Sequence, residues 1–309
     1  MRTVLTGSIA IDRIMVFPGR FSQVIQADKL HVLSLSVLID QLKDTRGGVA
    51  ANIAYTLALL EEKPVLYGSI GKEAASYIDD LAKMGINTEF VHFSDLPTAT
   101  FTVMTDQADC QIGGFYPGAM SDASLLTFNE FNEEDFFVIS PHDPDQMAKQ
   151  VQVCKNKKFR MFYDVGQQVS NVSAEDLRAG MDAAELLIVN DYEMGVLVKK
   201  TGWTHEEIIS KLKTCVVTLG EKGCKIYHQG HPPISVPAVP IDKVVDPTGA
   251  GDAFRAGFLC GYVRDFPVEE CAEYGSIAAA YCIGQLGTQT HTFTTEEFFA
   301  RHKTNYAKE

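Results

Sequence analysis

The sequence predicts an α/β fold: a mostly parallel β-sheet with helices on both faces, carrying a small β-sheet lid. Two observations lead there. From Phe136 onward, short apolar strands alternate with amphipathic helices, the pattern of a parallel sheet buried on both faces. Two earlier stretches, residues 14–40 and 98–115, break that rhythm with strand-like pieces and turn signals, as antiparallel sheet inserted into an α/β body would.

The elements follow in order. Residues 4–9 predict a buried first strand. Residues 49–60 are small and apolar and predict a buried helix. Residues 64–70 predict a strand, and 74–84 an amphipathic helix ending near Gly85. Strands over 99–104 and 110–115 flank the polar run Thr105-Asp106-Gln107-Ala108-Asp109. Strands then fall at 137–139, 161–163 and 186–189, with helices at 145–154 and 174–183 between them. Residues 215–219 and 225–228, separated by Gly-Glu-Lys-Gly, predict a hairpin, and three helices complete the chain. The expected organisation is one α/β domain built from 1–13, 41–97 and 119–309, with the lid made of two insertions, 14–40 and 98–118.

Composition excludes several function classes. The 309 residues are 46% hydrophobic and 22% charged, an ordinary globular balance that supports a large core. The net charge of −13 repels phosphate backbones and anionic lipid, which argues against nucleic-acid and membrane partners. Seven cysteines with no Cys-x-x-Cys pair suit neither a disulfide framework nor a zinc ribbon. Cys260, Cys271 and Cys282 read as core thiols. No apolar run is long enough to span a bilayer, and no signal-type apolar segment precedes a cleavage site. The expected setting is reducing and cytoplasmic. His228-x-x-His231, beside Gly230 and Pro232, reads as a solvated turn, and Trp203 as a packing residue.

The chemistry concentrates in Asp246-Pro247-Thr248-Gly249-Ala250-Gly251-Asp252-Ala253-Phe254. Gly249 and Gly251 allow close backbone approach to a ligand. The almost wholly apolar stretch that follows, with Arg255 as its only charge, predicts a buried helix. A glycine turn at its start offers free N–H groups and a positive dipole end to an anion. Asp252 among those donors suits a base that takes a proton from a hydroxyl during phosphoryl transfer. An isolated Gly-x-Gly-Asp reads first as a helix cap on a tight turn; the flanking Asp-Pro-Thr and the buried helix make the longer string specific. Other nucleotide signatures fail. Gly68-Ser69-Ile70-Gly71-Lys72 runs into Glu73 with the wrong spacing for a P-loop, and Phe254 stands where a dinucleotide fingerprint needs its third glycine. A second glycine site, Arg46-Gly47-Gly48-Val49-Ala50-Ala51-Asn52, opens another buried helix. There Asn52 points either to local backbone or to a bound hydroxyl. Asn190 and Glu193 read on their own as a strand-to-helix cap with Glu in the first turn.

These two signatures, in this order, resemble the ribokinase-like family of sugar and nucleoside kinases over essentially the whole chain. Gly7-Ser8-Ile9-Ala10-Ile11-Asp12, Phe115-Tyr116-Pro117-Gly118-Ala119-Met120, Asn190-Asp191-Tyr192-Glu193 and Lys200-Thr201-Gly202-Trp203 are similar to its bacterial adenosine and nucleoside kinase branch. The resemblance implies a doubly wound sheet with a β lid over the acceptor site, ATP with Mg²⁺ as donor, and Asp252 as base. Gly249, Ala250, Gly251 and Arg255 belong to the same motif. Asp12, Gly48 and Asn52 match residues that hold ribose hydroxyls, and Ser8 and Ser36 match further acceptor contacts. Phe101 and Phe115 match lid aromatics that sandwich the base, although strand aromatics also pack as lid core. Gln167 and Gln168 match a pair near the acceptor. Asn190 and Glu193 match a motif that organises Mg²⁺ through water; Thr218, Gly220, Gly223 and Thr248 match the nucleotide side. Ala50 replaces a common Gly, and Val165 follows Asp164 where relatives often have Pro. A potassium-like activating ion and a homodimer through the lid are common in the family. The expected reaction is 5′-phosphorylation of adenosine, giving AMP and ADP. A broader nucleoside kinase accepting inosine, guanosine or cytidine is the first alternative, and a sugar kinase the next. A free sugar has no base for the lid aromatics. A non-catalytic nucleoside sensor has no need of the intact Gly-Ala-Gly-Asp.

Overall fold

The computed structural model describes residues 1–125 and 127–307. Numbering strands and helices in chain order, the main sheet has eight strands. From one edge they are β4 (Val65–Tyr67), β1 (Thr3–Thr6), β9 (Phe136–Ile139), β10 (Arg160–Tyr163), β11 (Leu186–Asn190) and β12 (Thr214–Thr218), all parallel, then antiparallel β13 (Cys224–His228) and β14 (Ile234–Val236). A strand's side chains alternate between faces, and here each face feeds its own core. Leu5, Val138, Phe162, Ile188 and Val216 pack on one side with α2 (Val49–Leu59), α3 (Ala75–Lys83), α8 (Ala250–Tyr262), α9 (Val268–Cys282) and α10 (Thr295–Tyr306). Val4, Phe137, Met161, Leu187 and Val217 pack on the other with α4 (Pro144–Lys157), α5 (Ala174–Ala183), α6 (Asp191–Thr201) and α7 (His205–Lys211). The doubly covered parallel sheet is therefore as the alternation predicts.

The lid is a separate four-stranded sheet, β3 (Gln41–Gly47), β2 (Ala10–Val16), β7 (Ala99–Thr105) and β8 (Gln111–Tyr116), in that order. Its limits differ from the expected 14–40 and 98–118: it also draws on residues 10–13 and 41–47. The reason lies in the side chains. Gln-Leu-Lys-Asp-Thr-Arg-Gly of β3 is polar and half exposed on a sheet edge, so no apolar alternation marks it as strand. Residues between β2 and β3 supply only the short α1 (Phe21–Val24), a 3-10 segment Ala27–Val32 and irregular chain. The strand expected over 64–70 is also two, β4 and β5 (Ser69–Gly71), the latter pairing with β6 (His92–Ser94). They part at Gly68, where a Cβ would come within 2.9 Å of the Gly7 carbonyl.

No helix among the described residues is long and apolar enough to cross a membrane. Cys260, Cys271 and Cys282 are buried free thiols, as expected, and Cys110 alone among the cysteines is exposed. Trp203 lies beneath the cations of Arg178 and Lys211.

Helix α8 carries the Gly-Ala-Gly-Asp motif into the interior, and it is held there by close packing on α9. A Cβ on Gly257 would sit 2.4 Å from the Tyr274 carbonyl, a backbone atom that cannot step aside. Overpacking such a crossing costs about 1–3 kcal/mol. Gly257→Ala is expected to lower stability by that amount in urea titration monitored by circular dichroism; an unchanged midpoint would show that the crossing yields.

Candidate active site

The carboxyl ends of the parallel strands open into a cavity of about 710 Å³ that reaches from the main sheet to the lid, the usual ligand position in doubly wound sheets. Strand β10 delivers Asp164 and, one turn on, Gln167 and Gln168. Strand β11 ends on Asn190. Helices α2, α6 and α8 all begin at the cavity rim, so three helix N-termini face the same space, an arrangement suited to negative charge.

Asp252 lies half-buried in the first turn of α8, directly after Gly249, whose φ of 80° only glycine adopts readily. The amides of Gly249, Gly251 and Asp252 donate to no protein acceptor. They are open to a ligand. Burial pushes the Asp252 carboxyl above its ordinary range, and the charge of Glu193 adds to this; Arg255 and a hydrogen bond from Asn52 pull the other way. That bond, Asn52 Nδ2 to Asp252 Oδ2, is 2.8 Å long. The Asn52 oxygen accepts in turn from Thr288 Oγ1 and Gln289 Nε2, each at 2.9 Å.

Among the described residues, Arg255 is the only basic side chain lining the cavity. Its Nη2 lies 2.8 Å from Asp164 Oδ1 and 3.8 Å from Glu193 Oε2. Asp164 is fully buried. Burial raises its pKa, and the Glu193 and Asp252 charges add to that rise against the pull of Arg255. Asn190 and Glu193 form a capping box: the Glu193 N–H donates to Asn190 Oδ1 at 2.7 Å, and the Asn190 N–H donates to Glu193 Oε2 at 2.9 Å. Glu193 Oε1 has no protein donor.

On the acceptor side, Asp12 of β2 faces the cavity close to Gly47. Its carboxyl is pushed up to about 6, first by burial and then by the charges of Asp252 and Asp246. Ser8 Oγ accepts the Val49 N–H at 2.9 Å and so caps α2. Gly48 has a φ of 94°, and a Cβ there would fall 2.5 Å from the Ser8 carbonyl. Phe101 and Phe115 are directly opposed on β7 and β8. Both line the cavity, and at 39% and 48% exposure they are not lid core.

Most of the residues singled out in the sequence therefore meet: Ser8, Asp12, Gly48, Asn52, Phe101, Phe115, Gln167, Gln168, Asn190, Glu193, Thr248, Gly249, Gly251, Asp252 and Arg255 line one cavity. Ser36 does not; it is exposed on irregular chain. Thr218, Gly220 and Gly223 lie outside the lining. Thr218 is paired abreast of Asn190 at the sheet's carboxyl edge, and Gly220 and Gly223 form the β12–β13 turn. Three polar side chains of the lining were missed. Asp164 is signalled only by its place after a strand; Asn171 and Thr288, the latter with its neighbour Gln289, carry no local signal. His228 bonds Thr214 Oγ1 through Nδ1, and no group of three or more His, Cys, Asp or Glu among the described residues is placed to hold a metal.

A model of the pfkB family carbohydrate kinases matches residues 11–295. The nucleoside kinase of Methanocaldococcus jannaschii is 28% identical over 284 residues, 90% of this chain and 92% of that protein. The nucleoside kinase of Burkholderia thailandensis in complex with inosine superposes with a TM-score of 0.89 at 32% identity, covering 99% of both chains. A ribokinase of Thermotoga maritima shares the fold, with a TM-score of 0.83 at 22% identity.

The charge on Asp12 opposes folding. With a folded pKa near 6 against an ordinary 3.8, the protonated form is favoured in the native state. The stability it confers is full below about pH 3.8 and is lost as pH rises through 6. Asp12→Asn is expected to raise Tm at pH 8 and to leave it unchanged at pH 3.5, read by calorimetry at both values. A lower Tm at pH 8 would show that the carboxylate is stabilised in the fold.

Proposed function

Because the chain belongs to the pfkB family of carbohydrate kinases, phosphotransferases that act on hydroxyl groups, we propose that it transfers the γ-phosphoryl group of ATP to the 5′-hydroxyl of nucleosides, adenosine and inosine among them. The observation that carries this is Asp252: a carboxylate of raised pKa beside three free amides at a helix N-terminus, facing a cavity that ends in an aromatic pair.

The chain's groups divide the work. Asp12, with no protein donor on its carboxylate, accepts two vicinal ribose hydroxyls, a pairing that penalises a deoxy sugar. Phe101 and Phe115 take the base between lid and body. The 5′-hydroxyl then lies against Asp252, and the Gly249, Gly251 and Asp252 amides hold the oxygens of the phosphoryl group. As the hydroxyl oxygen bonds to phosphorus and the bond to ADP breaks, Asp252 takes the hydroxyl proton. Its raised pKa makes it a stronger base than an exposed carboxylate. Closure of the lid keeps water from the phosphoryl group. Glu193 Oε1 and the Asn190 side chain are oxygen donors suited to a hydrated Mg²⁺, for which water completes most of the shell. When bound, the ion neutralises phosphate charge.

Adenosine is the substrate expected from the sequence. The broader range is supported by the inosine complex of the Burkholderia relative, and by the amide side chains of Gln167, Gln168 and Asn171 in the lining. Amides both donate and accept, so they suit adenine and hypoxanthine edges alike. The lid edge β8, exposed along its whole length, supports pairing of two copies through their lids. Sedimentation equilibrium is expected to give twice the chain mass, and a monomer at micromolar concentration would refute the pairing.

The activity test is ADP release with MgATP and adenosine, inosine, guanosine, cytidine, ribose or fructose, for wild type and Asp252→Asn. Turnover is expected with adenosine and inosine, falling by about 10²–10⁴ in the variant while nucleoside binding persists. Turnover confined to free sugars would refute the aromatic-pair assignment, and an active Asp252→Asn would refute the base.

A further inference from the structure

Gln289 sits in the loop between α9 and α10, remote from the motif in sequence, yet it determines which way Asn52 faces. The Tyr77 hydroxyl donates to the Gly47 carbonyl at 3.0 Å, so its one proton is used. The Tyr77 oxygen, which also bonds Gln289 Nε2, must therefore accept there. Gln289 Nε2 has two protons; one goes to Tyr77 and the other to Asn52 Oδ1 at 2.9 Å. With its oxygen taken by Gln289, and with the one Thr288 Oγ1 proton divided between that oxygen and the Arg46 carbonyl, Asn52 presents its nitrogen to Asp252. The string has a single polarity, from Gln289 through Asn52 to the carboxylate.

We propose that Gln289 is a positioning residue for the base, locking the Asn52 amide so that it donates to Asp252 and holds that carboxylate ionised and oriented; this rests on the kinase reading above. An Asn52 turned the other way would set an oxygen against Asp252, which only a protonated carboxyl tolerates. The other charged or titratable groups around Asp252 are Arg255 on its own helix, Asp164 after β10, Glu193 on α6, Asp12 on β2, Asp246 before the glycine turn and Cys282 at the end of α9. None of them is hydrogen-bonded to Gln289, so an uncharged change at 289 reaches Asp252 through Asn52.

Two variants separate orientation from charge. Gln289→Met keeps the volume, adds no charge and removes the donor; Gln289→Glu replaces the donor with an acceptor. Asp252 is titrated by carboxyl ¹³C NMR on the ligand-free protein, with Asp252→Asn identifying its resonance, and the acid limb of kcat is measured beside it. Both are expected to move upward, by about one pH unit in Gln289→Met and further in Gln289→Glu. Turnover should recover at higher pH while KM for ATP stays unchanged. Should Gln289→Glu fail to fold, Gln289→Met decides. A wild-type midpoint and acid limb in a folded Gln289→Met would overturn the inference. Absence of kinase activity in the wild type, with the NMR midpoint still displaced in the variants, would strike the proposed reaction and leave the positioning network standing.

Discussion

Arg255 is one cation among three carboxylates. It pairs with Asp164 at 2.8 Å, lies 3.8 Å from Glu193 and pulls on the charge of Asp252 from one turn along α8. Burying an ion pair is seldom a net gain in stability, because desolvation offsets the Coulomb attraction. Burying one cation with three anions is worse, and the pKa values show it: burial comes first among the causes that raise both Asp164 and Asp252. The protein tolerates this because the cluster lies where three helices begin, so partial positive charge from their N-termini faces the acids. The unbalanced charge is also what makes the site receptive. A hydrated cation, or a hydroxyl ready to give up its proton, relieves it.

The rest of the fold serves that placement. Helix α8 can carry a charged first turn into the interior only because the remainder is almost wholly buried and packed on α9 through glycine contacts. The parallel strands put Asp164 and Asn190 at one edge because their side chains alternate between two separate cores until the strands end. The lid follows another rule. Its β8 is exposed on both faces, and Phe101 and Phe115, opposed to each other across β7 and β8, are both left exposed. A surface this poorly buried gains its packing when a flat ligand arrives between lid and body. That is a reason for the lid to be a small sheet of its own rather than an extension of the core.

How much of this the sequence discloses depends on how far each feature lies from its chemical explanation. The main sheet is legible because strands such as Phe136–Ile139 and helices such as Ala174–Ala183 satisfy local periodicity and tertiary burial at once. The Gly-Ala-Gly-Asp turn is legible because two glycines ahead of a long apolar run leave helix-terminal N–H groups open to an anion. Strand β3 is illegible because an edge strand is held by backbone hydrogen bonds and needs no apolar alternation. Ser36 was placed by resemblance on a stretch whose backbone follows no regular element, and there similarity of sequence does not fix position. Gln289 could not be read at all: it acts across 237 residues of chain, through a contact that has no local signature.

Asn52 shows why resemblance and geometry must be read together. The resemblance implies a side chain that holds ribose hydroxyls, and a single glance at the helix start suggests a local cap. The structure gives it neither role alone. Its oxygen accepts from Gln289 and shares the Thr288 hydroxyl proton with the Arg46 carbonyl, one of its own amide protons goes to Asp252, and the second amide proton is left for a ligand. An amide with a single remaining donor can bond one hydroxyl but cannot read two. On the proposed reading the vicinal pair of a ribose falls to Asp12, the one acid among the described lining residues with neither a cation nor a donor against it. The charge of Asp252 helps to raise the pKa of Asp12 across the cavity. In the proposed reaction a sugar whose hydroxyls donate to both relieves that repulsion at each end, so discrimination for a ribose and readiness for proton transfer would arise from the same pair of charges.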